Sequence, residues 1–96
     1  MIANKFSVYM MTNKRNTVLY VGMTDNLFRR VKQHKRQNKG FTSKYNVVKL
    51  VYCEIHNDKK LAIKREKLIK NLLRKKKENL INKFNSTWRD LSEEIS

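Results

Sequence analysis

The sequence predicts an α+β fold: a small, mainly antiparallel three-stranded sheet flanked by helices, in the order β-β-α-β-α-α. Three observations lead there. Two short runs rich in Val, Tyr, Phe, Thr and Met, residues 6–12 and 17–23, flank a polar turn and read as a β-hairpin. A third run, VVKLVYCEI at 47–55, is apolar enough for a central strand. The stretches that follow the hairpin and the third strand carry apolar residues at helical spacing.

The hairpin turn NKRN lacks the Asn-Gly signal of the tightest turns. Centred on Lys14 and Arg15, it would set Tyr9 directly opposite Tyr20, with Cβ atoms roughly 5 Å apart on one face. In TDNLFRRVKQHKRQN, Thr24 or Asp25 is suited to cap a helix start. Leu27 and Val31 share one helical face, and Arg30 and His34 another. Gly40 ends this segment, and GFTSKYN reads as a loop. Asp58 caps a long helical pattern from Lys59 to about Lys75. On it Leu61, Leu68 and Leu72 form one stripe, and Ala62, Ile69 and Leu73 its neighbour. ENLINKF adds a further turn or two of helix, and Trp88 and Leu91 in NSTWRDL dock back on the body. The expected organisation is a single domain over 1–91 with a frayed tail at 92–96.

The chain has 96 residues and a formal net charge of +15, which speaks of polyanionic partners rather than of fold. No apolar run approaches the roughly 18 residues of a membrane-spanning helix. The N-terminal MIANKFSVYMM lacks the charged start and sustained apolar segment of a signal peptide. Nucleic acid is therefore the expected partner, and membrane is not. Cys53 is the only cysteine, so neither an intrachain disulfide nor a paired-cysteine zinc site can form. It reads as a buried strand residue in a cytoplasmic protein.

Several residues break the local pattern. Glu66 is the only acid between Asp58 and Glu78, and it falls on or beside the face of its helix that should bury. A carboxylate there needs a cation or a metal. Lys70, four residues on, offers an ordinary ion pair. Arg65 also falls among the apolar positions. Arg30 offers a planar fork for a phosphate and His34 a group that exchanges a proton near neutrality. The plain alternative for both is a solvated basic helix face. Tyr9 and Tyr20 are either a stabilising cross-strand pair or one wall of a site. His56, beside Asn57 and Asp58 with no second metal-ligand residue at a suitable spacing, reads as a loop residue.

Taken in order, SVY at 7–9, YVG at 20–22 and YVGMTDNLFRRVKQH resemble the motifs of the GIY-YIG nucleases, in particular the small stand-alone type related to the nuclease domain of the excinuclease C protein. The strand and helix LVYCEIHNDKKLAIKREKLIK resemble those that carry the family's metal-binding glutamate, and FNSTWRDL its terminal motif. The likeness spans about residues 5 to 91. Ser7 and Val8 stand where the family has Gly and Ile, and Ser86 where it has Pro.

The resemblance implies a metal-dependent DNA endonuclease, cutting by structure rather than by sequence, in repair or recombination. Its site residues here would be Tyr9, Tyr20, Arg30, His34 and Glu66, with Glu66 holding Mg²⁺ or Mn²⁺. Gly22 would let the backbone turn tightly beside the site, and Asn85 is a further candidate. Tyr9 would position or deprotonate the attacking water, a role that needs nearby positive charge to lower its pKa. Tyr20 would bond a phosphate or water, and His34 is a rival proton acceptor. Arg29, Lys44 and Lys70 are candidate contacts to the DNA backbone. A nucleic-acid-binding module of the same fold with little cleavage of its own is the alternative. A protein-interaction subunit that recruits a partner to DNA is a third class, and oligomeric state is left open.

Overall fold

The computed structural model of the chain describes residues 5–37 and 46–95. The expected order holds: β1 (Phe6–Thr12), β2 (Leu19–Thr24), α1 (Leu27–Gln37), β3 (Lys49–His56), α2 (Lys59–Lys70) and α3 (Arg74–Phe84), followed by a 3-10 turn at Ser92–Glu94. The three strands form one antiparallel sheet in the order β2-β1-β3, so β1 is the central strand and β3 an edge.

Strand alternation sorts the core into two layers. Val8, Met10 and Val21 point to one face, where Ala62 and Ile69 of α2 and Ile81 of α3 cover them. Tyr9 and Met11 point to the other, against Val31 and Leu27 of α1 and Leu91. A bulge at β3 interrupts the alternation: Met10 pairs with Tyr52 and Met11 with Leu50, leaving Val51 as the extra residue. Val51 and Tyr52 consequently both join the α2 layer, while Leu50 joins the α1 layer.

The hairpin register differs from the expected one by two residues. Tyr9 lies opposite Gly22, and Tyr20 opposite Met11. The cause is the loop. Asn13 Oδ1 accepts from the backbone N–H groups of Thr17 and Val18 at 2.7 and 3.0 Å, and Asn16 takes a left-handed φ of 59°. Asn13 thus organises a longer connection, centred one residue further on. α1 is capped by Asn26, not by Thr24 or Asp25: its Oδ1 accepts from Arg29 N at 3.1 Å, while Thr24 Oγ1 accepts from Asn26 N one step earlier.

The long helix expected from Lys59 is broken. Asn71 ends α2, its N–H bonding back to Lys67 and Leu68, and Leu73 resumes an extended backbone before α3 begins. The buried stripe of α2 is Ala62 and Ile69; Leu61, Leu68 and Leu73 are more than half exposed. Arg65 among the apolar positions is explained by Glu54, whose Oε1 accepts from Arg65 Nε and sits against His56 Nε2, each at 2.8 Å. Burial alone would raise the Glu54 pKa, but bonds from Arg65, Tyr52 and His56 outweigh it and hold it below the usual carboxylate range. His56 is the last residue of β3 rather than a loop residue, and Cys53 lies in β3 as expected, half-buried there.

The C-terminal segment is tied down as expected at Trp88 and Leu91. Asn85 is buried, and its amide donates to the carbonyls of Val51 and Arg89 at 3.3 and 2.8 Å. Asp90 Oδ1 accepts from Leu50 N at 3.1 Å, and Leu91 N donates to Leu50 O at 2.7 Å. Where the 3-10 turn begins, Lys35 Nζ donates to Ser92 Oγ at 2.7 Å and Ser92 N to Asp90 Oδ1 at 3.0 Å.

Candidate active site

Three elements converge on the α1 face of the sheet. Odd positions of β1 face α1, which places the Tyr9 ring under that helix. Tyr20 lies two residues from Gly22, the residue opposite Tyr9, and so reaches the same face diagonally. Arg30 and His34, one turn apart, descend from α1 onto both rings.

The contacts are close. Tyr9 Oη lies 3.0 Å from His34 Nε2, and Arg30 Nε donates to Tyr9 Oη at 3.4 Å. The Tyr9 and Tyr20 ring centroids are 6.1 Å apart, and Tyr20 meets the His34 ring edge-on at 4.7 Å. The assignment that uses all three polar groups has Arg30 donating to Tyr9 Oη and the Tyr9 O–H donating to His34 Nε2. Tyr9 is 0% exposed and His34 8%, while Tyr20 and Arg30 are half-buried.

Burial sets the protonation states. Desolvation pushes the Tyr9 phenol up to about 12, despite the opposing bond and charge from Arg30. The lowering that a base role for Tyr9 would need is not supplied, because the single guanidinium of Arg30 does not offset the burial. His34 is lowered, first by desolvation and then by the Arg30 charge, so its imidazole is neutral at pH 7. Arg30 is raised by its bonds to Tyr9 and Tyr20. Around neutrality the cluster is a phenol, a neutral imidazole and a fixed cation.

Gly22 serves packing rather than a turn. It lies within β2 and has no positive φ. A Cβ there would stand 2.7 Å from Tyr9 Oη, 2.8 Å from Tyr9 Cζ and 2.9 Å from Tyr20 Cε2. Both rings would have to move in a layer with no spare room. Gly22→Ala is expected to destabilise the fold by about 1–3 kcal/mol, the cost of overpacking, and to disperse the Tyr9–His34 contact. Chemical denaturation with histidine NMR checks this; unchanged stability and an unchanged His34 signal would contradict it.

Beside the cluster a cleft of about 420 Å³ opens where β2 ends and β1 begins, lined by Phe6, Met23, Thr24, Asp25, Arg29, Arg30, Gln33 and Lys59. Phe6 and Met23 belong to the α2 layer and Arg30 and Gln33 to α1, so the cleft wraps the end of the sheet from one face to the other. Of its lining, only Arg29 and Arg30 are among the site residues expected from sequence. Gln33 had a signal, three residues after Arg30 on the same face, and its Oε1 accepts from Arg30 Nη1 at 3.3 Å.

Glu66 stands apart from the Tyr9 cluster, on α2, which covers the opposite face of the sheet. Its carboxylate accepts from Lys70 Nζ at 3.1 Å, and its side chain is 20% exposed. It follows Lys59 of the cleft by seven residues, two helical turns, and so shares that stripe of α2 about 10 Å along. Lys70 is thus an ion-pair partner of Glu66. Lys44 and Gly40 lie outside the described residues. Asn85 is not brought to the cluster; its amide is spent on the C-terminal segment.

Among the described residues no three His, Cys, Asp or Glu side chains gather as a metal site. A single carboxylate still suits a hard cation that keeps most of its waters and takes further oxygens from a phosphate.

Residues 5–79 match the profile of the GIY-YIG catalytic domain. The chain is 39% identical over 82 residues to a UPF0213 protein of Clostridium perfringens, covering 81% of this chain and 85% of that one. It is 38% identical over 79 residues to a UPF0213 protein of Vibrio campbellii, covering 80% and 74%. The solution NMR structure of a UPF0213 protein from Bacillus halodurans superimposes with a TM-score of 0.53 at 29% identity, covering 81% of this chain and 83% of that one. With the paired tyrosines, Gly22 and Arg30 assembled as described, the chain belongs to the GIY-YIG family, a superfamily of nucleases.

Proposed function

We propose that the protein is a divalent-metal-dependent DNA endonuclease that recognises the shape of its substrate rather than a base sequence. The observation that carries this reading is Arg30, whose guanidinium contacts the Tyr9–His34 pair and also lines the cationic cleft. A phosphate drawn into the cleft would meet Arg30 first. Its negative charge would draw the guanidinium outward and open Tyr9 Oη to water.

With a pKa of about 12, forming the Tyr9 phenolate beforehand would cost about 7 kcal/mol at pH 7. A relay avoids most of that cost. Tyr9 hands its proton to neutral His34 as it takes one from the attacking water. Arg30 would then offset the charge growing on the phosphate, and Tyr20 would orient phosphate or water. Glu66, two helical turns along α2 from the cleft's Lys59, would hold Mg²⁺ or Mn²⁺, exchanging its bond with Lys70 for the cation. When bound, that metal would polarise the scissile phosphate and stabilise the leaving oxygen.

The grip on DNA would come from lysines and arginines on the phosphate backbone. Among the described residues no helix is long and apolar enough to cross a membrane. Nothing in the cleft forms a base-reading array, which supports recognition of branched or flapped shapes such as repair and recombination produce.

The test is a panel of single-stranded, duplex, flapped and branched DNAs with Mg²⁺ or Mn²⁺, together with binding across salt. Expected are metal-dependent cutting that favours certain shapes and an affinity that falls steeply with salt. A flat salt dependence would overturn the nucleic-acid reading. Tight, salt-sensitive binding with no cutting under either metal would make the protein a binding module of the same fold.

A further inference from the structure

We infer that the cleft beside Arg30 is a slot for one unpaired nucleotide, with the base on Phe6 and Met23 and the flanking phosphates on Arg29, Arg30 and Lys59. The inference rests on the nuclease reading only in placing this nucleotide next to the scissile phosphate.

Size comes first. At about 420 Å³ the cleft is at the small end of pockets that enclose small molecules, about 300–1,000 Å³. It takes a single nucleoside, not a stacked pair of bases. Lining comes second. The inner surface carries an aromatic ring and a thioether, both half-buried and packed on the α2 core, so they are held in place rather than free to collapse. An aromatic side chain backed by core is a support on which a base can stack, and stacking is tolerant of which base it is.

Charge comes third. Arg29 and Arg30 enter from α1, and Lys59 from the start of α2 on the other side of the sheet. Cations on two walls of an open cleft outnumber its one acid, Asp25, and suit a strand that dips in and out, with one phosphate on each rim. A base paired within a duplex cannot enter. The slot therefore selects substrates with a nucleotide already unpaired or readily extruded, for which the cost of unstacking is least.

The test measures affinity in EDTA, so that no cleavage intervenes. Three fluorescently labelled DNAs are compared: a fully paired duplex, the same duplex with a one-nucleotide bulge, and that bulge made abasic. The bulged DNA is expected to bind about tenfold tighter than the paired one, and the abasic bulge to fall back toward the paired value, as loss of one stacked base implies. Phe6→Leu keeps an apolar residue against the core and should remove the preference for the base. Leu61→Ala, at an exposed position on α2, should retain it. Equal binding of the bulged and abasic-bulged DNAs would overturn the slot, because flexibility of the duplex would then account for everything. A Phe6→Leu variant that weakens all three DNAs equally would also overturn it. If base-dependent binding holds while no DNA is cut, the slot stands and the nuclease proposal alone fails.

Discussion

Glu66→Gln is expected to lower metal-dependent cleavage by about a thousandfold or more while leaving DNA binding intact or slightly tighter. The magnitude follows from the several kcal/mol that a Lewis acid contributes to transition-state charge. Glutamine keeps the size and helix preference of glutamate but removes the charge that would hold a divalent cation. Binding survives because the substitution takes one negative charge off a protein of net charge +15. Stability should scarcely change: the Glu66–Lys70 pair is an i,i+4 contact with a Lys70 side chain 58% exposed, of a type worth about 0.2–0.5 kcal/mol. Cleavage rates under Mg²⁺ or Mn²⁺, binding in EDTA and thermal melts separate the three statements. Wild-type cutting by the glutamine variant would remove Glu66 from the chemistry and leave the Lys70 ion pair as its whole role.

Arg30→Ala is expected to cost about 10²–10³ in cleavage, the scale for losing a preorganised charge aimed at the transition state. It should also leave a signature that mere damage would not. The Arg30 charge is one of the causes that lower the His34 pKa, so its removal should move His34 upward, toward its ordinary value. His34 acts in its neutral form in the proposed relay, so any residual activity should lose its acid limb at higher pH than in the wild type. Stability carries the same sign. With the folded pKa below the unfolded value of about 6.5, the unfolded chain takes up the proton first, and stability falls as pH drops below that value. Arg30→Ala should weaken that fall. NMR titration of the imidazole is the direct check. An unmoved His34 titration would mean that the Arg30–Tyr9–His34 cluster does not persist in solution.

Much of this was legible in the sequence because the strongest signals are periodic. The hairpin shows why an error in detail did not spoil the site. The register is off by two residues, and since side chains alternate with a period of two, Tyr9 and Tyr20 stay on the same face. The choice of buried stripe on α2 was less legible. Leu61 and Leu68 look more hydrophobic than Ala62, yet the close approach of helix and sheet takes the small residue and leaves the leucines outside. The break at Asn71–Leu73 carries no Pro or Gly, and only the asparagine hints at a helix end. Resemblance to the family pointed to Tyr9, Tyr20, Arg30 and Glu66. It could not show that Tyr9 is fully buried, which follows from the packing of α1 over the ring and changes the proton chemistry. Nor did spacing reveal Phe6, Met23 and Lys59, which the chain brings together only by folding three elements around one end of the sheet.

The fastening of the C-terminal segment has a meaning beyond packing. β3 borders the sheet, and the backbone amide and carbonyl of Leu50 would be exposed there were they not taken by Asp90 and Leu91. A bare border of that kind is a template on which a second chain can pair, and repeated pairing builds aggregates. Asn85, Asp90 and Leu91 thus cover that stretch of the border, and the polar groups that a passing strand would need there are already spoken for.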